Sequence, residues 1–104
     1  MDWNKKEFSQ LIHAFLSLDS ESDARHFLRD LMTEKEIMEF SSRFKAAEML
    51  AQKIPYVTIV KETGLSSTTI ARVAKWFNGK EGGYRAIIHK FHQNNSIQSR
   101  RGLS

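Results

Sequence analysis

Few residues in this chain of 104 interrupt a regular backbone. It contains one proline and five glycines, so long stretches run without the residues that usually end a helix or turn a strand. Such a sequence favours helices over a fold of many short strands. Hydrophobic residues make up 40% of the chain, which is enough to form the core of one domain. We therefore predict an all-α protein of about six helices.

Apolar residues recur along the first third of the chain at the spacing of one helix face. The first segment presents Phe8, Leu11, Ile12 and Phe15. Ser20 can cap a second helix. The apolar residues of that helix are Ala24, Phe27, Leu28 and Leu31. Two such stripes would leave apolar surface exposed on a short chain, so we expect a homodimer.

Thr33 begins a third and longer helix. Glu36 follows it three residues later, and this capping box lets the two side chains satisfy each other's backbone amides. The buried face of this helix is predicted to contain Ile37, Phe40, Phe44, Ala47 and Leu50. The helix ends near Pro55, because the residue before a proline is pushed out of helical geometry.

Two short helices around a glycine follow. The first is predicted from about 55 to 63 and the second from 67 to about 77, with Gly64 in the left-handed position between them. Ser66 can cap the second helix. Contacts between the two helices are assigned to Ile59, Leu65, Ile70 and Val73. The pattern predicts a helix-turn-helix motif, which places its second helix in the major groove of DNA.

The charges are divided unevenly along the chain. Residues 1–40 contain five Lys or Arg and nine Asp or Glu, whereas residues 41–104 contain eleven and three. A basic second half favours a polyanion, double-stranded DNA, as the partner. Hydroxyl side chains at the start of the second motif helix can meet phosphates and base edges, and nearby cations can reach phosphates. The predicted DNA-binding residues are Lys53, Lys61, Ser66, Ser67, Thr68, Thr69, Arg72 and Lys75.

A loop at 78–83 precedes a last helix. The apolar positions of that helix are Tyr84, Ile87, Ile88 and Phe91. Residues 93–104 are polar and are predicted to form a flexible tail. Residues 1–92 are then a single helical DNA-binding domain, with the helix-turn-helix at about 55–77.

Several features match a known family when they are taken together. They are the run Leu31-Met32-Thr33, Arg43, and the motif with Gly64 and the segment TTIAR that ends in Arg72. In these features the chain resembles the Trp repressor superfamily, and most closely its Trp-repressor-related, YerC/YecD-type branch, over roughly residues 8–92. The resemblance implies a six-helix protomer, an intertwined homodimer whose N-terminal helices share one core, and operator binding by the second motif helix. The expected function is a sequence-specific transcriptional regulator that acts as a repressor.

The resemblance also bears on an effector. Thr33, Arg43 and Arg72 fall where tryptophan binders of the family hold their ligand. Val73 and Trp76, however, stand where those proteins have glycine and serine. The extra bulk should close most of a slot shaped for an indole ring. We therefore expect no cofactor and no binding of L-tryptophan. Either the protein binds DNA without a corepressor, or the two arginines hold a smaller anionic effector.

The sequence gives little support for a metal site or an enzyme. His89 and His92 are three residues apart, but with no carboxylate beside them we expect no metal site. The sequence contains no cysteine, no glycine-rich phosphate loop and no recognisable catalytic triad, so we expect no enzyme.

The alternative to a DNA-binding regulator is a non-enzymatic helical interaction module, such as an adaptor or antitoxin-like partner. Lacking a long apolar run, the protein is expected in the bacterial cytoplasm, on the nucleoid when bound to DNA.

Overall fold

The protein is built from six helices. The computed structural model describes the backbone of residues 1–103 and the side chains of residues 1–93. The helices are α1 (Lys6–Leu16), α2 (Glu21–Leu31), α3 (Glu34–Ala51), α4 (Tyr56–Thr63), α5 (Ser67–Phe77) and α6 (Gly83–Leu103). No strand occurs in the described backbone, and the predicted all-α fold is confirmed. The chain divides into two compact units, Met1–Ile37 and Met38–Ser104.

The first unit contains the two N-terminal helices. Ser20 caps α2, because its hydroxyl accepts a hydrogen bond of 3.0 Å from the Asp23 amide. The rings of Phe15 and Phe27 meet edge to face at 5.5 Å between centroids. Neither helix contains a fully buried residue, and Leu16 is 75% exposed. The apolar stripes predicted from the sequence are therefore present and only partly covered, since Phe15 is exposed whereas Phe27 is half-buried.

The capping box at the start of α3 is formed as predicted. The Glu36 amide donates to the Thr33 hydroxyl at 3.1 Å, and the Thr33 amide donates to the Glu36 carboxylate at 3.0 Å. The hydrogen bond from the Thr33 backbone amide, supported by that from its hydroxyl, lowers the pKa of Glu36 from its ordinary value of 4.5. The ionised Glu36 carboxylate therefore stabilises the helix start at pH values above its ordinary pKa. This contribution is lost when the pH falls through the lowered pKa and the carboxyl group is protonated.

The core lies in the second unit. It is formed by Ala46, Ala47, Ile59, Ile70, Val73 and Ile88, which come from four helices. Helix α4 packs on α5, and α5 packs on α6. Leu65, in the turn between α4 and α5, packs against this core from outside. The apolar contacts predicted for the helix-turn-helix are thus the centre of the unit.

The predicted burial of one residue on α3 was wrong. Phe40 was placed on the buried face of α3, but it is 41% exposed and lies under the Arg43 guanidinium at 5.6 Å. On α6, Ile88 is buried whereas Ile87 and Phe91 are exposed. The periodicity of a helix fixes which residues share a face, but how wide a strip is covered depends on what packs there.

Helix α4 begins one residue later than the predicted start at about 55, because Pro55 is its N-cap and not part of its first turn. Over the described residues, no helix is both long and apolar enough to span a bilayer. The flexible tail predicted at 93–104 lies outside the residues whose side chains are described, apart from Gln93, and its flexibility stays a prediction.

Two glycines provide a matched test of backbone conformation. Gly64 has φ +73°, and a Cβ atom built there meets no atom within 4 Å; Gly83 has the same free space without a positive φ. Gly64→Ala should lower the free energy of unfolding by about 1–2 kcal/mol, because an L-residue is strained in the left-handed region. Gly83→Ala should be neutral or slightly stabilising, because alanine only restricts the unfolded chain.

Thermal or denaturant unfolding of both variants at one protein concentration is the measurement. Equal stability of the two variants would show that the turn does not require the left-handed conformation.

Candidate nucleic-acid interface

A left-handed glycine turn joins α4 to α5. Gly64 has φ 73° and ψ 2°, and its amide donates to the Val60 carbonyl at 2.9 Å, which ends α4. The Thr63 hydroxyl donates to the Ile59 carbonyl at 2.7 Å and accepts from the Leu65 amide at 3.2 Å. These bonds on both sides of the glycine fix the direction in which α5 leaves the turn.

The first turn of α5 is organised by Ser66. Its hydroxyl accepts from the Thr69 amide at 3.1 Å and donates to the Thr69 hydroxyl at 3.0 Å. The Ile70 amide donates to the Ser66 carbonyl at 3.0 Å and closes the first helical ring. The amides of Ser67 and Thr68 precede that ring and point out of the helix start, where an anion can accept from them. Ser66 and Thr69 thus shape the helix, whereas Ser67 and Thr68 are presented to solvent.

Opposite faces of α5 have opposite character. Ile70, Val73 and Ala74 are buried against the core. Thr68, Arg72 and Lys75 are exposed and follow one another at spacings of four and three residues, so they lie on one face. Ser67 is exposed beside them. The structure therefore presents hydroxyls and two cations along one outward helix face.

The predicted cations outside α5 are exposed as well. Lys61 lies in the last turn of α4. Lys53 lies after the end of α3 and has φ 61°, a left-handed conformation that is unusual for a residue with a side chain. Its amide donates to the Leu50 carbonyl at 2.9 Å. This turn directs the chain from α3 into the helix-turn-helix.

Arg85 was not singled out from the sequence. Its guanidinium donates to the Phe77 carbonyl and, at 3.0 Å, to the Gly79 carbonyl. The Asn78 amide side chain donates to the Ala74 carbonyl at 3.0 Å. Together they satisfy carbonyls at the C-terminal end of α5, where cations are favoured. The sequence signal for this role was an arginine that follows a helix end and a glycine-containing loop.

The three predicted effector residues are divided between the two units, because Thr33 belongs to the first unit and the two arginines belong to the second. Thr33 lies in the first unit, and its hydroxyl donates to Glu36 at 3.0 Å. Arg43 pairs with Glu39 at 3.1 Å, while its buried Nε atom has no hydrogen-bond partner. Arg72 is exposed. Val73, which should narrow the ligand slot, is 3% exposed and part of the core.

An open groove lies elsewhere in the second unit. Its volume is about 420 Å³, and it is lined by Phe44, Trp76, Glu81, Gly83, Tyr84 and Ile87. Trp76 is 56% exposed, so it stands at the edge of this groove. None of the three predicted effector residues contributes to the described lining.

Metal-ligating side chains are sparse in the part of the chain that is described. No group of three or more His, Cys, Asp or Glu residues there could hold a metal ion. His92 instead lies 4.0 Å from the Glu48 carboxylate and edge to face with the Phe91 ring.

Two short packed helices, a left-handed glycine turn and a polar outward face define an all-helical protein of the helix-turn-helix class. The family model described as "Trp repressor protein" matches residues 6–92, and this chain belongs to the Trp repressor family. That family has a DNA-binding regulator fold and is not a family of enzymes, in agreement with the expectation from the sequence.

Two similar proteins are consistent with this assignment. The "Uncharacterized protein YerC" of Bacillus subtilis (strain 168) is 32% identical over 94 residues, which are 90% of each chain. A crystal structure of a TrpR like protein from Eubacterium eligens ATCC 27750 superposes with a TM-score of 0.82 at 33% identity. That superposition covers 86% of this chain and 93% of the other. The resemblance noted in the sequence is thereby confirmed.

Proposed function

We propose that this protein is a sequence-specific transcriptional regulator, acting as a repressor, and that α5 is its recognition helix. The observation that carries the proposal is the two-sided character of α5. Ile70 and Val73 anchor the helix in the core, which leaves Thr68, Arg72 and Lys75 on the outward face. A rigid helix with a polar, cationic outward face is what major-groove recognition requires.

The outward face divides into two kinds of contact. Thr68, near the helix start, can read a base edge with its hydroxyl or methyl group. Arg72 and Lys75 follow it along the same face and can bind phosphates, as can Lys61 on α4 and Lys53 beyond α3. The excess of Lys and Arg after residue 40 supports this orientation. In the bacterial cytoplasm, a protein bound to an operator on the nucleoid would block transcription of the neighbouring genes.

A homodimer forms part of the proposal. Helices α1 and α2 contain no fully buried residue, and the exposed apolar residues of α1 include Leu11, Ile12 and Leu16. Burying such a surface against a second copy would give both copies a larger core. Two recognition helices related by a two-fold axis would read half-sites about 34 Å apart.

An interaction module is the second candidate function. The observation that favours it is the number of large apolar side chains exposed on α5 and α6, among them Trp76, Ile87 and Phe91. A protein partner that binds these residues would show little dependence on salt. DNA affinity, in contrast, falls steeply with salt because bound phosphates release counterions.

The first prediction separates base reading from phosphate binding. Thr68→Ala should change the preferred sequence more than the non-specific affinity, because Thr68 is exposed and outside the cap bonds. Thr69 is also a predicted DNA-binding residue, but its hydroxyl belongs to the Ser66 cap, which makes Thr68 the cleaner test. Lys75→Gln should weaken all sequences alike and reduce the salt slope by about 1.

Selection of preferred sites from random DNA and binding isotherms at several salt concentrations measure both effects. Lys45→Gln, on α3 outside the motif, removes the same charge and should leave the salt slope unchanged. An unchanged preference for Thr68→Ala would mean that α5 does not read the bases, and salt-independent binding would favour the interaction module.

The second prediction concerns assembly. The wild-type protein should sediment as a dimer at micromolar concentration. Leu11→Asp should weaken the dimer by about tenfold or more, because a carboxylate would have to be buried in an apolar contact. Gln10→Asp, at the neighbouring exposed position of α1, adds the same charge and should have little effect. A wild-type monomer would contradict the proposed assembly.

The third prediction concerns the corepressor. L-Tryptophan should not bind with micromolar affinity, since Val73 already fills its site in the core and Arg43 is paired with Glu39. Calorimetric titration is the measurement. Micromolar binding that disappears in Arg72→Ala would show that the slot is open after all. The binding of a smaller anion by Arg43 and Arg72 stays a prediction. Calorimetric titration with small carboxylates would test it.

A further inference from the structure

The C-terminal end of α5 is held by a side chain from another helix. Arg85, in the first turn of α6, donates from one guanidinium nitrogen to the Phe77 carbonyl and from the other, at 3.0 Å, to the Gly79 carbonyl. These two hydrogen bonds are called the Arg85 clamp. We propose that Arg85 is a positioning residue for DNA recognition, which sets the angle of α5 and thereby the discrimination between DNA sequences, a role that rests on the proposed function.

The contacts of Arg85 differ from those of the arginines in ion pairs. Arg25 and Arg43 each pair with a carboxylate four residues earlier on their own helix. Arg85 reaches back eight residues to Phe77 and six to Gly79, and so joins α6 to the end of α5. Carbonyls at a helix end carry partial negative charge, and a guanidinium meets them with separate nitrogens in a rigid fork. The clamp therefore constrains the direction of α5 as well as its end point.

The loop after α5 leaves room for the guanidinium only because two of its residues are glycines. Gly82 has φ +69°, and a Cβ atom built there would lie 3.2 Å from Nη2 of Arg85. A Cβ atom at Gly79 would lie 3.2 Å from the Lys75 carbonyl oxygen. Both distances are tighter than ordinary van der Waals contact. The loop is thus packed closely around the guanidinium and the last turn of α5.

The rest of α5 is fixed by other contacts, so the clamp controls one end of a lever. The Ser66 cap holds its start, and Ile70 and Val73 hold its buried face. A helix rises about 1.5 Å per residue, which places Lys75 about 10 Å along the axis from Thr68. A change of tilt about the fixed start displaces Lys75 more than Thr68. The base contact and the phosphate contact then no longer form together, because hydrogen bonds have a narrow range of lengths.

The substitution Arg85→Lys tests the clamp without changing the charge, because it replaces the fork with a single nitrogen. The ratio of affinity for a duplex selected from random DNA to affinity for its scrambled sequence should fall about tenfold, the loss typical of one mismatched base pair. Affinity for the scrambled duplex and its salt slope should stay as in the wild type. Arg25→Lys, at a side chain 72% exposed on α2, should leave the ratio unchanged.

This ratio separates positioning from two other roles. Lower stability alone reduces the binding-competent fraction and so weakens binding to both duplexes alike. A direct contact between Arg85 and a phosphate would survive in Arg85→Lys, and Arg85→Gln would then lower the salt slope by about 1. Either result would overturn the proposal. Denaturant unfolding and sedimentation of each variant show whether the fold and the assembly are retained.

A second variant, Gly82→Ala, acts on the clamp from the loop and alters no charge. Its methyl group should displace the guanidinium and lower the same ratio, whereas Gly83→Ala, where a Cβ atom meets nothing within 4 Å, should not. In the Arg85→Lys background, Gly82→Ala should lower the ratio little further, because the clamp is already broken. Fully additive losses would contradict the clamp.

Hydrogen exchange in the absence of DNA tests the clamp independently of the proposed function. The amides of Asn78 and Gly79 donate to carbonyls in the last turn of α5. Arg85→Lys should speed their exchange about tenfold, whereas the Ile70 amide at the helix start should keep its rate. Unchanged exchange would mean that Arg85 does not hold this end of α5.

The two levels fail in different ways. A wild-type protein that shows no sequence preference would refute the proposed function, and the role of Arg85 in recognition with it, even if exchange at the end of α5 responds as expected. An unchanged ratio for Arg85→Lys in a protein with a clear sequence preference would refute this inference alone.

Discussion

The contact between α4 and α5 is the interaction on which the rest of the second unit depends. Ile59 and Ile70 are fully buried, and they lie on either side of the left-handed turn at Gly64. The positive φ of Gly64 ends α4 and redirects the chain, so that α5 packs back on α4 and both side chains enter one core. This packing fixes α5 from within, so the polar residues on its other face are presented by a rigid helix. Arg85 secures the opposite end of α5 through backbone carbonyls.

Several large apolar side chains are exposed on the described part of this chain. Leu16 on α1 and Trp76, Ile87 and Phe91 on α5 and α6 are all substantially open to solvent. The two regions differ in kind. The N-terminal helices present plain aliphatic and aromatic stripes, which suits burial against another protein surface. The groove beside Trp76 is lined by three aromatic rings and by Glu81. Exposed apolar residues therefore occur in two places, on the N-terminal helices and in the groove beside Trp76.

The arginines show how far side-chain chemistry can be assigned without a structure. Arg43 and Arg72 looked alike in the sequence as candidate ligands for an anion. In the structure Arg43 is paired with Glu39 and stacked over Phe40, whereas Arg72 is exposed on the outward face of α5. Arg85, which no motif marked, holds two carbonyls. An arginine can pair with a carboxylate, stack on a ring or donate to a carbonyl, so its partner depends on which of them the fold brings near.

The sequence by itself determined the helices, their caps and the motif, because these depend on interactions between residues close in the chain. Thr33 with Glu36, Ser20 with Asp23, and Gly64 between two apolar runs are all local patterns, and each is formed as the pattern predicts. Only the tertiary structure decided that Phe40, Ile87 and Phe91 remain exposed, that Arg85 closes the end of α5, and that a groove opens beside Trp76. These features depend on how far separate helices cover one another and on which groups they bring near, and helical periodicity gives the direction of a side chain but not what stands opposite it.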